Sequence, residues 1–182
     1  FQESTTQCMR SLVWGSSLLT RVYVPPGVYP LSSVGTALVN LTMSLAPILL
    51  IMVVMGHDFT WSLLFVPVAM LLVAAFSLGT GLMIATVAVR YTDVVEMWGV
   101  LVRALFYLTP VMYPEEILPE RFVWMVQANP LYHLLACWRD PIYLGSLPSL
   151  ESLSIASVSA LVVLLAGWWV FTQTQHEFAL RA

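Results

Sequence analysis

Arg90, Asp93 and Glu96 follow one another at three-residue spacing, and Arg103 lies seven residues beyond Glu96. Spacings of three and seven put side chains on one face of a helix. Two carboxylates this close could do general acid–base chemistry. The sequence offers them no nucleophile, metal ligand or acid–base partner, so catalysis is not expected. His57, His133 and His176 are scattered and fit no metal-ligand spacing. No Ser–His–Asp arrangement stands out. All seven basic residues are arginines, so a GxxxxGK phosphate loop is absent. Cys8 and Cys137 sit in apolar surroundings and read as small buried hydrophobes rather than a disulfide. What remains is Arg103, a charge inside an apolar stretch. Glu96 is two turns away, roughly 10 Å, too far for a direct pair. Arg103 therefore either makes a packing salt bridge with another segment or lines a polar path.

The elements that must hold these charges are long and apolar. Residues 22–56, 59–89 and 152–175 contain no Asp, Glu, Lys or Arg. About 20 helical residues cross the roughly 30 Å of a bilayer's hydrocarbon. Charged residues make up 9% of the 182, against about 25% in an ordinary soluble domain, and hydrophobic residues 59%. Mean hydropathy is +0.86. An all-α integral membrane domain follows, one domain over 1–182. The net charge of −3 and the lack of a basic block make nucleic acid an unsuitable partner. Phe1-Gln2-Glu3-Ser4 reads as internal sequence, so a preceding N-terminal part is expected.

The expected order is five spans. Residues 1–19 form the first, with a polar side from Ser4, Thr5, Thr6, Gln7, Ser11, Ser16 and Ser17 that suits a helix contact or a water-filled path. Residues 20–30, TRVYVPPGVYP, make a stiff connector. A span over 31–55 contains Pro47, and a turn follows at 56–60. The helix over 61–89, at roughly 43 Å, must tilt, kink near Pro67 or reach into water. The segment Arg90–Glu96 caps and anchors the next span, 94–113. Residues 114–150 are broken at Asn129-Pro130 and form two short re-entrant helices. The last span covers 153–171, before a polar tail. Aromatics such as Trp98 and Tyr107 are expected at the membrane interface by default. Alternation puts 20–30, 90–96 and the tail on one side. The arginine bias makes that side cytoplasmic, with 114–150 extracytoplasmic.

Three stretches in order carry a resemblance: Leu19-Thr20-Arg21-Val22-Tyr23-Val24-Pro25 with Pro30-Leu31; Arg90-Tyr91-Thr92-Asp93-Val94 with Phe106 and Pro110-Val111-Met112-Tyr113-Pro114; and Asn129-Pro130-Leu131 with Arg139. The chain resembles the membrane subunit of ABC-2-type exporters for polysaccharides and polyol phosphates, such as O-antigen, capsule or teichoic acid chains. It departs from the family pattern at Val24, Thr92 and Arg103.

The resemblance implies an ATP-driven permease in the bacterial cytoplasmic (inner) membrane, moving a lipid-linked glycan, with a cytoplasmic C-terminus. Two copies would enclose the path amid membrane lipid. Each would dock on one of two separate ABC ATPase subunits that carry ATP and Mg, with no cofactor bound by this chain. Arg21, Tyr23, Pro25, Pro26, Tyr29 and Pro30 would couple to the ATPase, supported by Arg90, Asp93 and Glu96. Gln7, Ser11, Arg103 and Tyr107 would line the path. Pro110, Tyr113, Asn129, Pro130 and Arg139 would shape the exit. Two other readings stay open: the same architecture exporting a lipid, drug or other small hydrophobic molecule, and a non-transporting membrane anchor or scaffold.

Overall fold

The computed structural model describes residues 1–13, 27–56, 60–111 and 120–181. Every regular element among them is helical. They are α1 (Gln2–Val13), α2 (Val28–Val54), a 3-10 turn (Trp61–Phe65), α3 (Val66–Arg90), α4 (Val94–Leu108), α5 (Glu120–Gln127), α6 (Pro130–Arg139), a π turn (Asp140–Leu144) and α7 (Leu150–Arg181).

Among the described residues, three stretches are long and apolar enough to cross a membrane: Val28–Val54, Trp61–Arg90 and Leu150–Thr174. The five expected spans are thus represented by three, flanked by the shorter α1 and α4. The expected span over 94–113 stops at Leu108, giving 15 residues or roughly 22 Å. The reason is local. Thr109 precedes Pro110, and the proline ring disfavours helical backbone at the residue before it. Thr109 accordingly turns extended, with φ −87° and ψ 129°.

Of the three ways to accommodate the length of 61–89, a break at Pro67 inside the helix is not the one taken, for a related reason. The chain enters through the 3-10 turn, and Pro67 falls at the start of α3. There its missing N–H is one that no helix would use. Pro47, by contrast, lies inside α2 and removes one rung of its ladder.

Helix α3 is the hub, in contact with α1, α2, α6 and α7. Two close backbone approaches make this packing. A Cβ added to Gly79 would lie 2.6 Å from Leu164 Cα, and one on Gly167 would lie 2.8 Å from Gly79 Cα. Such distances are available only to glycine, so α3 and α7 touch backbone to backbone. Between membrane helices, where lipid is as apolar as leucine, close packing of this kind supplies the association energy. On another face of α3, Gly81 admits Cys8 of α1, whose Sγ would be 2.9 Å from an added Cβ.

Buried side chains gather at both ends. Near the α1–α2 connection, Cys8, Met9, Leu12, Leu82, Ala85, Val95, Trp98 and Phe171 pack together, with Tyr29 against them. At the other end Ala69, Phe76, Leu134, Cys137, Ala156 and Ala160 form a second cluster under α6. The first end unites the α2 start, the α3–α4 elbow and late α7. The second unites residues 60–65 with the π turn, through Ser62 Oγ donating to Pro141 O at 3.4 Å and Thr60 against Gly145. This is the two-sided arrangement that alternation of the spans requires. The left-handed Gly56 (φ 71°) and Gly145 (φ 63°) close turns at this second end.

Candidate functional site

Helix α4 carries the charges singled out above. Its buried face is Val95, Trp98 and Val102. Positions 96, 100, 103 and 107 recur at steps of four, three and four, so they form a stripe along the opposite side. Glu96, Val100, Arg103 and Tyr107 are all exposed, Tyr107 at 75%. Arg103 Nε donates to Gly99 O at 3.0 Å, which lays the side chain along its own helix. No acid lies within ion-pair distance of Arg103 among the described residues, and Glu96 is two turns away. Among the described residues Arg103 therefore has no packing salt bridge.

The elbow before α4 departs from the expected capping. Arg90 ends α3, where a cation suits the helix dipole, and Glu96 stands in the first turn of α4, where an anion does. Asp93 occupies the N-cap position but its side chain makes no capping hydrogen bond, because its backbone is already helical (φ −62°, ψ −22°). Backbone bonds Val94 N to Tyr91 O and Val95 N to Thr92 O, both 3.1 Å, close the elbow instead.

Helix α1 is polar on two faces, not one. Ser4 and Thr5 turn inward and are buried. Gln2, Glu3, Thr6, Gln7 and Arg10 border an open depression of about 490 Å³ on the outside. Ser11 Oγ donates to Cys8 O at 2.8 Å within the helix, and its side chain is half-buried. Gln7, Arg103 and Tyr107 thus all face out of the protomer from neighbouring helices, while Ser11 is largely occupied by its own backbone. An apolar cavity of about 350 Å³ lies between these helices and α6, lined by Val102, Leu105, Phe106, Leu134 and Trp138 among others.

In the connector, Arg21, Tyr23, Pro25 and Pro26 lie outside the described residues. Tyr29 and Pro30, expected in that connector, belong instead to the first turn of α2, which starts at Val28. A proline there forfeits no ladder bond. Pro30 is fully buried, and Tyr29 O accepts from Ser32 and Ser33 at 2.9 and 3.0 Å.

At the far end, the break at Asn129-Pro130 appears as expected, and the structure supplies its purpose. Asn129 caps α6, its Oδ1 accepting from Leu131 N at 3.0 Å, with Pro130 in the first turn. Its Nδ2 donates to Thr109 Oγ1 at 3.0 Å in a buried site. The end of α4 is thereby tied to the start of α6, with Pro110 fully buried beside it. Arg139 ends α6, its Nε 3.7 Å from Asp140 Oδ1. Tyr113 lies outside the described residues.

Several contacts were not foreseen. Trp98 is 9% exposed, not an interface anchor. Its Nε1 donates to Thr5 Oγ1 at 3.0 Å, joining α4 to α1. His133 bridges Ser152 Oγ (3.3 Å) and Gln127 O (2.8 Å), joining α6 to α7 and α5. Polar residues within apolar runs were the available signal, since buried polar groups require partners, but spacing alone does not pair them. The two cysteines are free and buried, as expected.

Residues 11–143 match the family model described as ABC-2 type transporter. The chain is 23% identical over 180 residues to the O-antigen export system permease protein RfbA of Klebsiella pneumoniae, covering 98% of this chain and 69% of that protein. It is 30% identical over 164 residues to the O-antigen export system permease protein RfbA of Myxococcus xanthus, covering 89% and 63%. It is 24% identical over 123 residues to the polysialic acid transport protein KpsM of Escherichia coli, covering 68% and 44%.

Proposed function

Because the chain belongs to the ABC-2 type transporter family, we propose that it is the permease subunit of an ATP-driven exporter of a lipid-linked polysaccharide or polyol phosphate polymer. The relatives named for O-antigen export and polysialic acid transport support a glycan cargo. Two copies enclose the path in the bacterial cytoplasmic membrane. Two ABC ATPase subunits dock on the cytoplasmic side and hold ATP and Mg. Residues 20–30, with Arg21, Tyr23, Pro25 and Pro26, form the coupling element, and the Arg90–Glu96 elbow supports it. Residues 114–150 lie on the extracytoplasmic side at the exit, and the C-terminus is cytoplasmic.

The observation that carries this reading is the outward polar surface of α1 and α4. Gln7, Arg103 and Tyr107 leave the protomer on the side away from its buried cores. An arginine facing hydrocarbon costs about 3 kcal/mol or more, so this surface belongs against water, cargo or a second copy. A short, tightly anchored α4 then acts as a rigid wall. Its one end rests on α1, which leads toward the connector, and its other end holds α6.

The test is ATP turnover by the full-length permease reconstituted with its ATPase, with and without lipid-linked glycans of several kinds. Glycan-dependent turnover with glycan release on the far side is expected. Turnover indifferent to every glycan, with no release, overturns the reading. Replacing Arg21 is expected to lower transport per folded complex while leaving the thermal unfolding midpoint unchanged.

A further inference from the structure

Arg103 raises a question of charge balance that the described residues of its own protomer do not answer. Its side chain is exposed, and its one described polar contact is the donation from Nε to Gly99 O. Guanidinium carries five N–H donors in a planar fork. With Nε occupied, the two terminal nitrogens remain on an exposed side chain, open to a ligand. No Asp or Glu among the described residues lies within 4.0 Å of them, and Glu96 is offset by roughly 10 Å along the helix.

A second copy does not supply the missing charge. Copies related by a two-fold axis along the membrane normal place equal residues at equal depth. Arg103 of one copy then faces Arg103 of the other across the axis, and Glu96 faces Glu96. The two stripes repel at both levels if they pack directly. They coexist at low cost only when water and cargo separate them. The result is a pair of guanidinium groups at one depth, aimed into the same space. Such a fork matches the oxygens of phosphate and carboxylate, to which it binds bidentately.

From this geometry, and resting on the exporter reading above, we infer that Arg103 selects an anionic polymer. The cargo carries phosphate or carboxylate groups along its repeating units, and these supply the counter-charge as they pass. Tyr107, one turn further along the same stripe, adds an aromatic ring and a hydroxyl that suit sugar units between the anionic groups.

The experiment uses the full-length permease with its ATPase in vesicles, and two probes on the same isoprenyl diphosphate carrier: poly(glycerol phosphate) and neutral mannan. The half-saturating concentration for stimulated ATP turnover is read for each. The ratio of the two is independent of how much protein is active, and the shared carrier cancels its own charge from that ratio. Wild type is expected to half-saturate at a lower concentration of the phosphate polymer, by about tenfold for one charge-assisted contact. R103Q is expected to bring the ratio close to one, and R103K to retain part of it, since charge persists while the fork is lost. The wild-type preference is expected to shrink as salt rises, because the site is open to water. Equal half-saturation by both polymers in wild type, unchanged in R103Q, overturns this inference and leaves the exporter reading intact. Competition by the bare carrier in wild type but not in R103Q, with no polymer preference, assigns Arg103 to the carrier and also overturns it. No stimulation by poly(glycerol phosphate) beside stimulation by a neutral glycan also overturns this inference, whereas the exporter reading falls only when every lipid-linked glycan fails.

Discussion

Replacing Gly79 by alanine tests the packing of α3 on α7 most directly. The added methyl would lie 2.5 Å from Val163 C and 2.6 Å from Leu164 Cα. Carbon atoms rest at about 3.5–4.0 Å. The obstruction is backbone, so no side chain can rotate out of the way, and the helices must part by on the order of 1 Å. A gap of that size forfeits roughly a quarter to a half of each affected contact. Overpacking costs typically about 1–3 kcal/mol, and glycine-to-alanine in a helix returns about 1 kcal/mol in propensity. At the upper end of that cost the net loss is about 2 kcal/mol. For a domain of this size that lowers the unfolding midpoint by roughly 4–8 °C. Gly35 and Gly99 are helical and have nothing within 4 Å of an added Cβ. Alanine there is expected to raise the midpoint slightly. The assay is thermal unfolding of the full-length protein in one detergent, for Gly79→Ala and Gly35→Ala side by side. Indistinguishable midpoints would refute the claim that backbone contact at Gly79 holds the two helices together.

Three further outcomes are expected. Thr5→Val keeps the side chain's volume but leaves the buried Trp98 indole N–H unpaired and costs about 1–3 kcal/mol; thermal unfolding indistinguishable from that of the unaltered protein defeats the assignment. Asn129→Ala removes both the α6 cap and the Thr109 contact, with a loss of about 1–2 kcal/mol and faster amide exchange at 131–134, checked by hydrogen-exchange mass spectrometry. Burial, and next the Asp140 charge, push the Cys137 thiol up to about 11. Its side chain is also fully buried, so at pH 8 its maleimide alkylation in the folded protein should be at least on the order of a hundredfold slower than that of an exposed thiol of pKa about 8.5; mass spectrometry showing a free-thiol rate counts against this.

The apolar runs are readable without a structure because hydropathy over 20 residues is a composition signal. That is why Val28–Val54, Trp61–Arg90 and Leu150–Thr174 stood out. The break at Asn129-Pro130 is equally legible, since a proline interrupts a helical run, although its use as the cap of α6 is visible only in the structure. The end of α4 was not placed correctly. Apolar residues continue past Leu108, and the decisive influence is a proline acting backward on Thr109. The start of α2 was set too late because prolines were read as stops, though one in a first turn is harmless. At the candidate site, Arg103 announced itself as a charge among apolar residues. Its exposure depended on which face Val95, Trp98 and Val102 would bury, a choice made by α1 and α3. The pairings Trp98–Thr5, Thr109–Asn129 and His133–Ser152 join residues 93, 20 and 19 positions apart. Spacing along the chain carries no information about which distant polar groups will meet.

Helix α2 has 27 residues, and its buried ones, Pro30, Ser33 and Val34, all fall in the first two turns. At roughly 40 Å it is longer than the roughly 30 Å of hydrocarbon around it. Such a helix leans until its apolar length fits. Because its fully buried residues all lie at the start and α1 and α3 border it only as far as Ser44, the surrounding bilayer bears on its far half. Membrane thickness is thereby converted into the angle at which the chain enters α2 at Val28. A thinner bilayer rotates that entry one way and a thicker bilayer the other. Chain length and saturation of the host lipids thus become mechanical inputs to this protein, felt at the end where the connector begins its helix.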